Sequence, residues 1–135
     1  MLEEKKGVSF ITFDIFKTIP AVTAAVSTRC GGRSQDVFSA LNMSFASGEQ
    51  PDTIRANRQA YLQALHIDAA QIVCCNQVHG IHVEAVGKDA CGRGALTRDT
   101  AIADCDGLIT NESQVPLTMN FADCTPLLLV DPVHH

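Results

Sequence analysis

One stretch constrains the fold more than any other. Between Pro51 and His66, the apolar residues Ile54, Tyr61, Leu62 and Leu65 recur at helical spacings and share one face. Arg55, Arg58, Gln59 and Gln63 lie mostly elsewhere around that helix. Pro51, Asp52 and Thr53 form its start signal, and His66 sits where a cation favours the C-terminal dipole. No other part of the chain has this period. The remaining apolar runs are short and β-type: Val8–Phe16 and Ala21–Ser27 flanking Pro20, then Ile72–Asn76, Ile81–Val86, Gly107–Thr110, Val115–Asn120 and Pro126–Val130. Cys30-Gly31-Gly32-Arg33-Ser34 reads as a turn, while Asp36–Ser47 and Gly87–Ala101 read as irregular. One firm helix among many short strands predicts an α+β domain rather than a regular βαβ winding.

At 135 residues and 46% apolar, the chain is the size of one domain with a real core. Ten Lys and Arg against fifteen Asp and Glu give a net charge of −5, the wrong sign for nucleic-acid binding. No apolar run is long enough to cross a bilayer, so no membrane partner is expected. Met1-Leu2-Glu3-Glu4-Lys5-Lys6 is charged, and no apolar segment of a secretory signal follows it. The expectation is a soluble cytoplasmic protein. Six cysteines, at 30, 74, 75, 91, 105 and 124, have no regular spacing and include no Cys-x-x-Cys pair. Reduced thiols are therefore expected, and a zinc ribbon is excluded. The adjacent Cys74 and Cys75 would point to opposite faces of a strand.

Candidate chemistry sits just after the buried strands, where functional groups emerge from a scaffold. His79 follows Ile72–Asn76, flanked by Asn76 and Gln77, whose amides can orient a ring or a substrate. The plain alternative is a turn histidine. Cys124 follows Val115–Asn120, and a thiolate there would be both a zinc ligand and a nucleophile. Its plain alternative is a small buried apolar residue. Asp123 would face away from Cys124 on an extended backbone. Arg29, just before Gly31-Gly32, could grip a phosphate or carboxylate, or simply be an exposed arginine. The glycine pair matches no nucleotide-loop motif. His82, alternating with Ile81 and Val83, is expected to face solvent.

These motifs form an ordered set: Ser27-Thr28-Arg29-Cys30-Gly31-Gly32, Ser39-Ala40-Leu41-Asn42, Asn57-Arg58, Asn76-Gln77-Val78-His79-Gly80, Asp106-Gly107-Leu108-Ile109-Thr110, Ala122-Asp123-Cys124-Thr125-Pro126 and Asp131-Pro132. From about Ser27 onward the chain resembles the YfiH-like family, long named multicopper polyphenol oxidoreductase or laccase-domain protein and now described as purine nucleoside phosphorylase. The resemblance implies a layered, mixed-sheet α+β fold shared distantly with a Cys–His deamidase toxin. It implies zinc bound by His79, Cys124 and a second histidine, with the first two as the expected catalytic residues. Around such a site Arg29 is the candidate for phosphate or another anionic group, and Asn76 and Gln77 could orient His79 or contact the nucleoside. It implies purine nucleosides and phosphate as partners: phosphorolysis of adenosine, inosine, guanosine and methylthioadenosine, plus adenosine deamination. An older claim of copper-dependent phenol oxidation also attaches to the family.

The chain departs from that family in two places. Phe121 stands where Thr commonly precedes Ala-Asp-Cys. The family's His-Ala-Gly-Trp-Arg-Gly segment, which carries the third ligand, is absent, and the chain has no Trp. Residues 1–135 are therefore expected to be one domain forming the N-terminal part of a longer catalytic domain, with His134-His135 alternatively a tag remnant. Three other classes compete: a metal-free Cys–His hydrolase or deamidase, a copper-dependent polyphenol oxidase, and an inactive fragment or interaction module.

Overall fold

The computed structural model describes residues 1–133, so the expectations for His134 and His135 lie outside the described residues. Two compact units are present among the described residues: Met1–His66 with residues 127–133, and Ile67–Pro126.

In the first unit, β1 (Leu2–Lys5), β2 (Val8–Thr12) and β3 (Ala25–Ser27) form an antiparallel sheet in that order. Lys6 and Gly7 both have positive φ, 52° and 78°, the type I′ geometry that matches the twist of a two-residue hairpin. The charged N-terminal segment is thus a strand, which its composition did not announce. The expected strand Val8–Phe16 stops at Thr12, and Asp14–Lys17 coils into the short helix α1. There Lys17 bonds Asp14 at 2.9 Å, and Phe13 packs edge-on to Phe16. The expected strand Ala21–Ser27 is shortened to β3.

Helix α2 (Pro51–Ala64) starts at the expected proline and buries Ile54, Tyr61 and Leu62, with Tyr61 edge-on to Phe10 of β2. Beyond it, His66 adopts the left-handed conformation usually left to glycine after a helix, φ 60°. Two polar residues of the helix are also buried. Arg58, expected on the outer face, is 3% exposed. Its Nε donates to the Met43 carbonyl at 2.8 Å and its guanidinium lies 4.4 Å from the Phe45 ring centre. Asn57 is fully buried, with its side-chain oxygen accepting the Arg33 N–H and its amide group donating to Ser34 Oγ and the Asn42 carbonyl. Ser34 Oγ and Asn42 Nδ2 in turn donate to Glu49. One helix thereby pins the loops at 33–34 and 42–49, which have no strand ladder of their own. Gly31 is required by close approach as well as by its φ of 93°, because a Cβ there would overlap the Gly7 carbonyl oxygen.

The second unit contains two parallel strand pairs: β4 (Val73–Cys74) with β7 (Leu117–Thr118), and β5 (Val83–Ala85) with β6 (Gly107–Ile109). Its core comprises Val73, Cys75, Val86, Ala90, Ile102, Cys105 and Val115. The expected strands around 72–76, 81–86, 107–110 and 115–120 are all present but shorter. The 87–101 stretch is irregular as expected, with 3₁₀ turns at Lys88–Ala90 and Arg98–Thr100. The strand expected at Pro126–Val130 does not form. Leu127 and Leu129 are 79% and 83% exposed, since an apolar run becomes a strand only against a partner edge and none meets it among the described residues. The α+β class stands.

Asn57→Ala should lower unfolding free energy by about 2–3 kcal/mol in urea titration, because it takes a donor from the buried Ser34 hydroxyl and an acceptor from the Arg33 N–H, and breaks a connected polar network. A loss within 0.5 kcal/mol (about the surface-site norm) would contradict that account.

Candidate functional site

The site is built on the loop between β4 and β5, which carries Asn76, Gln77 and His79. The loop has no ladder, so its backbone groups are satisfied from the residues leading into β6. The Cys105 N–H donates to the Asn76 carbonyl at 3.2 Å, and the Asp106 N–H donates to the His82 carbonyl at 2.9 Å. The Asp106 carboxylate accepts three consecutive amides: Val78 at 3.1 Å, His79 at 2.9 Å and Gly80 at 2.7 Å. His79 sits at the centre of this turn with φ 59°. A left-handed residue between two ordinary ones turns successive N–H groups toward one point, an anion-binding nest. Here the anion is the protein's own carboxylate. The N–H groups of Gly80, His79 and Val78 hold the Asp106 carboxyl below its ordinary pKa, against an opposing effect of burial.

Both expected substrate-contacting amides are engaged. The Asn76 side-chain oxygen accepts Arg98 Nε at 3.0 Å, and the Gln77 side-chain oxygen accepts the Asn120 N–H at 3.0 Å. The second bond ties the His79 loop to the segment that leads to Cys124. His79 and Cys124 are both exposed members of this unit. The plain alternative for Cys124, a buried apolar residue, is thereby overturned. The extended backbone expected around Asp123 is not observed, since residues 122–124 form bends. Arg29 belongs to the first unit, where its guanidinium donates to the Ser39 carbonyl, with Nε at 2.9 Å. His82 faces solvent as expected and meets Glu84 at 2.8 Å. A cleft of about 470 Å³ bordered by Arg33, Asp36, Glu49 and Thr53 contains neither His79 nor Cys124.

Imidazole and thiolate are the donor types zinc prefers, so His79 and Cys124 fit part of a zinc site. Among the described residues, no group of three or more His, Cys, Asp or Glu gathers to complete one. Arg98 and Asn120 escaped the sequence reading, and Asp106 entered it only as part of the Asp106-Gly107-Leu108-Ile109-Thr110 motif, with no role assigned. That pattern says nothing about which loop the carboxylate reaches.

Residues 23–135 match the family described as multi-copper polyphenol oxidoreductase laccase, and the chain belongs to that family. It is 38% identical over 109 residues to the purine nucleoside phosphorylase YlmD of Geobacillus stearothermophilus, covering 81% of this chain and 40% of that protein. It is 35% identical to the purine nucleoside phosphorylase YlmD of Bacillus subtilis, covering 83% and 40%. The crystal structure of the Geobacillus stearothermophilus YlmD superposes with a TM-score of 0.81 at 33% identity, covering 90% of this chain and 44% of that one. That of the Bacillus licheniformis hypothetical protein YfiH gives 0.81 at 27% identity, covering 91% and 45%. The chain spans about two-fifths of the length of the curated relatives it matches. No helix among the described residues is long and apolar enough to cross a membrane.

All six cysteines are free thiols, in contrasting settings. Cys30 and Cys124 are exposed; Cys74, Cys75 and Cys105 are buried. Burial, helped by the neighbouring Cys105 thiol, pushes the Cys75 thiol up to about 12. Alkylation of the native protein followed by peptide mass spectrometry should label Cys30 and Cys124 first. Cys74, Cys75 and Cys105 should react at comparable rates only in denaturant; early labelling of Cys75 would contradict the burial.

Proposed function

We propose that this chain carries part of the active site of a zinc-dependent purine nucleoside phosphorylase, with His79 and Cys124 as two zinc ligands. The observation that carries the reading is a clamped loop presenting His79 to solvent, in the same unit as an exposed Cys124, within a chain 38% and 35% identical to two proteins named as purine nucleoside phosphorylases. The remaining donor would come from outside the described residues.

Zinc held there would lower the pKa of water and so supply the nucleophile that converts adenosine to inosine. The chain's own residues do the rest. Asp106 and Gln77 fix the loop from two sides, so that His79 and its neighbours meet a nucleoside in one geometry. Arg29 is the phosphate candidate by the chemistry of its guanidinium alone, which pairs with phosphate bidentately. The substrates are adenosine, inosine, guanosine and methylthioadenosine, each cleaved with phosphate to free base and the 1-phosphate of its own sugar: ribose for the first three, methylthioribose for the last. A metal-free Cys–His hydrolase, with Cys124 as nucleophile and His79 as base, is the second reading, since both side chains are exposed in one unit and are the types that chemistry uses. Copper oxidase chemistry fits poorly, since multicopper centres need many histidines and the chain has five.

In the full-length protein, His79→Ala or Cys124→Ala should abolish phosphate-dependent base release from inosine and deamination of adenosine, with the far-ultraviolet spectrum unchanged. Elemental analysis should find about one zinc per chain. Full activity in either folded variant would refute the site assignment. An active protein without bound metal would shift the reading to the Cys–His hydrolase.

A further inference from the structure

We propose that Asp106 is a positioning residue: its carboxylate holds His79 in the left-handed conformation that aims the imidazole, and without it the loop relaxes. The geometry is specific. A non-glycine residue at φ 59° is strained, and strain of this kind persists only where surrounding structure over-determines it. Here both carboxylate oxygens supply the determination. Oδ1 takes the His79 and Val78 amides, and Oδ2 takes Gly80. Bonds of this kind, with an ionised acceptor, are roughly twice as strong as neutral ones.

The carboxylate is itself fixed. The Asp106 N–H donates to the His82 carbonyl, Cys105 just before it is fully buried, and Gly107 just after it opens β6 against Val83. Asp106 therefore cannot follow the loop if the loop moves, and the loop is referred to the core strand. Gly80 also contributes, because a Cβ there would lie 3.3 Å from Oδ2, crowding the carboxylate. An asparagine at 106 would keep the shape but present one acceptor oxygen, with an NH₂ group facing backbone donors. The carboxylate charge, not merely the side-chain volume, is what the nest requires.

This inference rests in part on the proposed role of His79, so the test separates the two. Amide hydrogen exchange is measured first on the unmodified full-length protein. Although exposed, the amides of His79 and Gly80 should be protected about tenfold or more relative to the unfolded chain. Unprotected amides would overturn the proposal without any variant. In Asp106→Asn, exchange at Val78, His79 and Gly80 should accelerate about tenfold or more, while Val73 and Val86, bonded to the Pro116 and Ile109 carbonyls, keep their rates. The ring resonances of His79 should shift in that variant while those of His66 and His82 stay; equal shifts at all three, or none at His79, would overturn it. With inosine as substrate, kcat should fall about 100-fold and the nucleoside KM should stay within about threefold. A loss in KM alone would exclude action through His79. Should the unmodified protein leave inosine untouched, the proposed function fails while the exchange and resonance measurements still decide the role of Asp106.

Discussion

A loop with no strand partner must find other acceptors and donors for its backbone, and the 76–82 loop finds five of them in two residues. Cys105 and Asp106 take the Asn76 and His82 carbonyls and the Val78, His79 and Gly80 amides. Unpaired buried or half-buried backbone groups are costly, so this set fixes the loop as firmly as a ladder would. The arrangement also converts β6 from a structural strand into the support of the candidate site. Parallel pairing of β5 with β6 sets the distance between Val83 and Gly107, and so places the carboxylate within reach of the turn.

The first unit solves a similar problem with different chemistry. Its loops at 33–34 and 42–49 are satisfied by Asn57 and Arg58, two polar residues projecting from an otherwise apolar helix face. Neither is stranded: Asn57 uses both ends of its amide, and Arg58 combines a carbonyl bond with an aromatic face. Buried polar groups of this type specify one loop conformation, because the alternatives leave them unpaired. Arg33, Ser34, Asn42 and Met43 are thus tied to Asn57-Arg58 as one physical device, though widely separated in sequence.

The structure gives several of the motif residues a local physical task. Gly31 lies where the hairpin turn at Gly7 leaves no room for a Cβ. Asp106-Gly107 supplies the carboxylate and then the glycine that lets β6 sit against Val83, whose side chain a Cβ would meet at 2.8 Å. Asn76, Gln77 and His79 form a turn whose amide side chains are tied to Arg98 and Asn120.

By itself the sequence determined the helix at Pro51, the α+β class and the positions of most β-type runs, because periodicity and local composition encode these directly, whereas the exposure of His79 and Cys124 came from the tertiary structure. It did not determine that Leu127–Leu129 would lack a partner, that the N-terminal charged segment would pair, or that Arg58 would be buried. Each depends on an edge or a ring supplied from elsewhere in the chain. Least legible was Asp106. Its role is set by a carboxylate meeting amides 26 to 28 positions away, and only tertiary structure brings those groups within hydrogen-bond distance.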